Sequence, residues 1–168
     1  MKLRGLEEKD APFMLEWMHD EDVVNNMQAN FKTLTIDDCL KFIDASRNEQ
    51  MNLHRAIVDE NDEYMGTVSL KRIKNTSAEF AIAIRKCAMS HGYSIYGMKK
   101  IIQYGFDVLG LNQIYWCVAP ENKRAIRFYD KNGYKRLDLV TEYTDVEGYT
   151  QDQINKFIWY QVFKEDIL

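Results

Sequence analysis

Hydrophobic and polar positions alternate along this chain with two periods, and the period changes where turn-forming residues cluster. Residues 2–6 alternate as an opening strand, while residues 8–19 carry Phe13, Met14, Trp17 and Met18 at the spacing of an amphipathic helix. Residues 20–32 are polar and irregular. A second helix is expected from Thr35, whose hydroxyl can cap the first turn while Asp38 reciprocates, and it runs on through Leu40, Phe42 and Ile43. Residues 53–58 and 64–73 read as a hairpin around the acidic turn 59–63, and residues 77–85 as the next strand. A glycine turn at Gly92 then opens a helix on which Ile95, Met98, Ile102 and Leu109 recur and should face a core. Residues 113–119 give a further strand, a short helix follows, and residues 135–143 and 157–163 alternate as final strands. The predicted order is strand, helices, three strands, helix, strand, helix, two strands.

Two features of this pattern point to chemistry. The first is the turn Met89-Ser90-His91-Gly92-Tyr93-Ser94 between a strand and a helix. There the first N–H groups of the helix lack internal partners and the helix dipole adds partial positive charge, which suits a phosphate. Gly92 allows close backbone approach, and Ser94 can cap the helix or offer its hydroxyl. Taken alone, such a turn is as readily a plain strand-to-helix connection. The second is the strand Ala78–Arg85, which puts Phe80, Ile82 and Ile84 on one face and Glu79, Ala81, Ala83 and Arg85 on the other. A face of small residues beside one carboxylate suits a ligand lying across it, although a solvent-facing strand with Glu79 exposed would show the same alternation.

The glycine turn, followed by Glu121-Asn122-Lys123-Arg124-Ala125-Ile126-Arg127-Phe128-Tyr129 and then Asn132-Gly133-Tyr134, resembles the GNAT superfamily of N-acetyltransferases. Within it the chain is similar to the branch acting on ribosomal-protein N-termini, polyamines and amino sugars. Met89 and Ser94 depart from the usual pyrophosphate-loop residues, which main-chain donors can tolerate. The resemblance implies one three-layer α/β domain over residues 1–168, with a mixed, mostly antiparallel sheet flanked by helices. Its two central parallel strands would splay to bind acetyl-CoA.

By the same resemblance, Ile82, Ala83, Ile84, Met89, Ser90, His91, Gly92, Tyr93, Ser94, Asn122, Arg124 and Ala125 would hold the coenzyme. A backbone N–H near Ile84 would stabilise the developing oxyanion. Glu79 is the candidate base, needed because a primary ammonium of pKa about 10.4 has no lone pair. Tyr129 is the candidate donor to the leaving thiolate; without the resemblance it would read as a core aromatic. Gly133 reads as a structural residue ending the short helix.

The acceptor site would be built from residues 17–31 and 143–159. Glu16, Asp20, Glu21, Asp22, Asn25, Asn26 and Gln28 suit a polycation, or the amides with Trp17 a sugar; for each residue alone a solvated loop surface is the simpler reading. A small-molecule amine such as an amino sugar leads, ahead of a spermidine-like polyamine and an N-terminal peptide amine. A coenzyme-binding module with little turnover is the alternative of another class, against which the retention of both Glu79 and Tyr129 counts.

Composition adds limits. A chain of 168 residues with 46% hydrophobic content can bury one core, and no linker divides it. A net charge of −4 without a basic stripe argues against nucleic acid. No apolar run suits export or membrane insertion, so the cytoplasm is the expected compartment. Cys39, Cys87 and Cys117 are expected to be reduced and mostly buried, and with His19, His54 and His91 they show no metal-ligand spacing. The apolar run Phe157-Ile158-Trp159-Tyr160 suggests a homodimer contact, with an internal strand as the simpler account.

Overall fold

The computed structural model describes residues 1–27, 29–137, 146 and 148–166. The chain opens with β1 (Lys2–Arg4), a 3-10 turn, α1 (Ala11–Met18), α2 (Glu21–Val24) and α3 (Ile36–Ala45). Then come β2 (Leu53–Val58), β3 (Tyr64–Lys74), β4 (Ser77–Ile84), α4 (Tyr93–Asp107), β5 (Gln113–Val118), α5 (Lys123–Lys131), β6 (Lys135–Arg136), α6 (Gln151–Lys156) and β7 (Ile158–Phe163). The strands form a 7-stranded sheet in the order β1-β2-β3-β4-β5-β7-β6, in which β4 and β5 are parallel and every other pair antiparallel. One face packs on α4 and α5, with Met98, Ile101, Ile102 and Phe106 buried against Leu53, Ile57, Val68, Leu70 and Ile114. The other packs on α1 to α3 through Met14, Trp17, Met18, Val23, Cys39 and Ile43. Burying such side chains contributes about 1.5–3 kcal/mol each.

The predicted elements are present, with local corrections. The capping box at Thr35 and Asp38 forms as expected. Asp20 to Lys32 is not wholly irregular, because Asp20 caps the short α2 by accepting from the Asp22 N–H at 2.9 Å. The 3-10 turn at Glu8–Asp10 takes the start of the first predicted helix, and Pro12 sits in the first turn of α1, where its missing N–H costs nothing. Leu109 lies beyond the end of α4 and is exposed, so Ile101 and Phe106 complete the buried stripe instead. Ser94 does not cap α4, since Gly92 occupies that position. Of the predicted strand 135–143, Lys135–Arg136 pairs with β7, and residues 138–143 lie outside the described residues.

β7 begins at Ile158 and lies inside the sheet between β5 and β6, with Trp159 and Tyr160 buried within the chain. The internal-strand reading of that apolar run is the one the fold supports. Cys39 is buried, but Cys87 is exposed and Cys117 half-buried, so the cysteines are less buried than expected.

Candidate active site

β4 and β5 pair at Ser77–Gln113, Ala78–Ile114 and Glu79–Tyr115, and then part. The next row would set Phe80 beside Trp116, two large aromatics on one face whose rings meet edge to face with centroids 5.5 Å apart. Trp116 is also packed against Tyr129, Tyr134 and Tyr160, where the two strands have parted. The Thr76 carbonyl accepts from Asn112 N–H toward β5, whereas Arg85 N–H donates to Met65 on β3. Alternation between these fixed points turns the main-chain groups of Phe80, Ile82 and Ile84 toward the gap. A cleft of about 1010 Å³ runs through it.

At one end of the cleft stands the start of α4. Ser90 and Gly92 have φ of 65° and 86°, and no side chain caps the helix. The N–H groups of Tyr93, Ser94 and Ile95 have no protein acceptor among the described residues, while the first helical bond runs from Tyr96 to the Gly92 carbonyl at 3.1 Å. A Cβ at Gly92 would meet only Met1 at 3.8 Å, so the requirement there is for positive φ and not for clearance. Arg124 reaches the loop from α5, with Nη1 3.0 Å from the Met89 sulfur. Uncapped donors, left-handed loop residues and a nearby guanidinium fit a pyrophosphate.

Of the residues expected to hold coenzyme, Ile82, Ala83, Ile84, Met89, Ser90, Gly92, Ser94, Asn122, Arg124 and Ala125 line the cleft. His91 and Tyr93 do not. The His91 ring turns back to the Met89 carbonyl at 2.8 Å, and Tyr93 packs against the core. Asn122 caps α5 by accepting from Ala125 N–H at 3.1 Å, which leaves its amide nitrogen available and removes the Ala125 amide as a donor.

Both predicted catalytic residues also line the cleft. Tyr129 is buried against Trp116 and Tyr160, and its hydroxyl has no hydrogen-bond partner among the described residues. Burial, with smaller contributions from Tyr134 and Tyr160, pushes its phenol well above the usual value, so it stays protonated. Glu79 is buried and already occupied. Oε1 accepts from the Tyr149 hydroxyl at 2.7 Å and lies 3.3 Å from Lys71 Nζ, while Oε2 contacts Arg72. Those partners fix the carboxylate on the cleft floor, and Oε2 accepts no hydrogen bond among the described residues, so lone pairs remain there for an acceptor or a water.

The other half of the cleft lies on the α1–α3 face, where the sequence reading expects the acceptor. Its floor is Thr67, Ser69 and Lys71 of β3, Glu79, Ala81 and Ala83 of β4, and His54 of β2. His54 accepts from or donates to Ser69 Oγ at 2.7 Å, depending on its tautomer. Burial, then the neighbouring Lys71 and Arg55 charges, lower its pKa to about 4, so its ring is neutral at pH 7. Trp17, Phe31 and Phe42 form the opposite wall. Trp17 is fixed by donating to the Tyr64 hydroxyl at 3.1 Å, which in turn meets Thr67 Oγ1 at 2.7 Å.

Among the expected acceptor residues, Trp17, Asn26 and Phe31 do line the cleft, but Glu16, Asp20, Glu21, Asp22 and Asn25 do not. Glu16 is bound to Arg85, Glu21 to Lys32 and Asp22 to Lys86. Gln28 lies outside the described residues. The sequence reading missed His54, Ser69, Lys71, Arg72 and Tyr149. The hairpin register was the available signal, because it sets Ser69 opposite His54 and Lys71 opposite Glu79.

A family model described as an acetyltransferase (GNAT) domain matches residues 1–135. The chain belongs to the GNAT family of acetyltransferases. It is 30% identical over 141 residues to the spermidine N(1)-acetyltransferase of Escherichia coli K12, covering 80% of this chain and 72% of that protein. It is 29% identical over 153 residues to N-acetyltransferase p20 of Bacillus licheniformis, covering 88% and 86%. The Vibrio cholerae spermidine N-acetyltransferase solved with CoA and spermine superposes with a TM-score of 0.78 at 20% identity, over 98% of this chain and 95% of that one.

This GNAT protein is therefore an N-acetyltransferase whose donor is acetyl-CoA, and its single α/β sheet with splayed β4 and β5 is the family's fold. No helix among the described residues is long and apolar enough to cross a membrane.

Proposed function

We propose that the cleft transfers an acetyl group to the primary amine of a small molecule, with an amino sugar ahead of a polyamine and of an N-terminal peptide amine. The observation that carries this order is the make-up of the acceptor half. Thr67, Ser69, Asn26 and His54 offer neutral donors and acceptors beneath the rings of Trp17 and Phe31, a lining suited to a polyol. Among the described residues, Glu16, Glu21 and Asp22, which would receive a polycation, are ion-paired outside the cleft. The relatives named for spermidine support a polyamine, and the lining is the reason to rank it second.

Acetyl-CoA supplies the activated thioester. The α4 N–H groups, Ser94 and Arg124 hold its pyrophosphate, and the outward main-chain groups of Phe80, Ile82 and Ile84 align its arm in the strand gap. The Ile84 N–H donates to the carbonyl oxygen as negative charge develops there. Glu79, pinned by Tyr149, Lys71 and Arg72, orients the acceptor, which loses its proton to water. Tyr129 donates a hydrogen bond to the departing sulfur. Its raised pKa makes complete proton transfer to a thiolate of pKa about 8.5 uphill, so stabilisation by hydrogen bonding is the description that fits.

The test is acetyl-CoA-dependent thiol release against an amino sugar, a nucleotide-linked 4-amino sugar, spermidine, an aminoglycoside and a short peptide with a free N-terminus. Turnover led by the sugars is expected. Turnover confined to spermidine would reverse the ranking.

A further inference from the structure

Lys71 and Arg72 are adjacent on β3, and adjacent strand residues normally point to opposite faces. Here both reach Glu79 on the same face. The device is a bulge. The β3–β4 register shifts between Lys71 and Lys74, and Arg72 takes a φ of 52° while its N–H donates to Asn52 Oδ1 at 3.0 Å. A left-handed arginine in a strand is costly, and bulges of this kind re-aim side chains beside functional sites. The loop across the cleft accommodates the result. Arg72 lies over the Tyr149 ring at 5.2 Å, and a Cβ at Gly148 would come within 2.6 Å of its Nη2, so glycine there makes room for the guanidinium.

The bulge delivers two cations to one carboxylate, and neutralising Glu79 needs only one. The other acid lining this half among the described residues is Asp38, whose Oδ2 is committed to the Thr35 N–H at 2.9 Å and the Thr35 hydroxyl at 2.7 Å. His54 is neutral and adds no negative charge. Among the described residues, the strand floor itself therefore sets two cations against one carboxylate, while Asp38 keeps its charge on the α3 wall, and both cations are only about a third exposed, with side-chain accessibilities of 34% for Lys71 and 33% for Arg72. A cation withdrawn from water in this way favours an anionic partner. Burial and the neighbouring Arg72 depress the Lys71 pKa, the strain that such a partner relieves. A spermidine-like acceptor, cationic at every nitrogen, would meet the wrong sign.

Resting on the reading of this cleft as the acetyl-transfer site, we propose that the acceptor carries a carboxylate or phosphate besides its amine, and that Lys71 and Arg72 on the β3 bulge bind that group. The test compares kcat/KM for matched amines with and without the anion: glucosamine 6-phosphate against glucosamine, a nucleotide-linked 4-amino sugar against the free sugar, and β-alanine against its amide. At least about tenfold preference for the anionic member of one pair is expected, and the pair that shows it names the source. Lys71→Gln should bring that preference to within about threefold by lowering kcat/KM on the anionic member much more than on the neutral one, with the acetyl-CoA KM little changed, and Lys71→Arg should restore it.

Equal rates within every pair, or equal losses on both members in Lys71→Gln, would overturn the proposal while leaving acetyl transfer intact. Absence of thiol release with all six amines would overturn the transfer reading itself, and this proposal with it.

Discussion

His54 shows how far one side chain's setting can depart from its sequence context. Nothing around it in the chain marks it, yet β2 places it against Ser69 under the Phe42 ring, 4.7 Å between centroids. Its folded pKa of about 4 lies below the ordinary 6.5, so the unfolded chain binds the extra proton first. Stability should therefore fall as pH drops from about 6.5 to about 4 and level off below. The loss is about 2 kcal/mol once solvent contact with the ring is discounted. Urea titrations between pH 4 and 7.5 would show it, and His54→Gln should flatten that part of the profile. If the acceptor loses its proton to water, kcat/KM should keep rising with pH toward the acceptor amine's own pKa, and a plateau near pH 6 to 7 would point to a protein base such as Glu79 instead.

At the scale of elements, the strand-to-helix turn at Gly92 was readable because its chemistry is local: a glycine, a helix start and a small serine are all visible in seven residues. The parting of β4 from β5 was implied by resemblance and not by periodicity, since it depends on contacts between residues far apart in the chain, such as Phe80 and Trp116. The bulge at Arg72 was invisible for the same reason, because it depends on Asn52, Gly148 and Tyr149. Glu79 was found as a cleft residue but given the wrong company: its alternation was legible, whereas its three partners come from β3 and the segment before α6.

Gly92→Ala tests the turn. Forcing a Cβ to φ of 86° costs about 1–2 kcal/mol, and relaxing it should move the uncapped N–H groups and weaken acetyl-CoA binding about tenfold. Gly110→Ala is the control, with φ of 68°, nothing within 4 Å and no place in the cleft. It should lose similar stability and bind coenzyme normally, as read by thermal melts and calorimetry.

For the whole molecule, the sheet is a platform opened along one seam. In the proposed transfer the α4–α5 face supplies the coenzyme half and the α1–α3 face the acceptor half, and the seam between β4 and β5 is where they meet. Arg85, just after β4, ties the sheet to α1 through Glu16 at 2.9 Å and to the hairpin turn through Glu63 at 2.7 Å. The overall acidity, which by itself suits a cationic acceptor, is partly spent in such pairs, and on the cleft floor the described acid is Glu79, held by Lys71 and Arg72. Net charge is a poor guide to acceptor charge here because sign is set locally, by which acids the fold leaves free.

Tyr129 joins both halves, reached from α5 and walled by β5 and β7. Its hydroxyl has no hydrogen-bond partner to lose among the described residues, so Tyr129→Phe should change stability by less than about 0.5 kcal/mol. The most direct measurement of the account is acetyl-CoA-dependent thiol release by wild type and Tyr129→Phe side by side, with coenzyme affinity read by calorimetry. Unchanged affinity and a kcat lowered about a hundredfold are expected if the seam is the site of transfer. Equal turnover by the two proteins would contradict it.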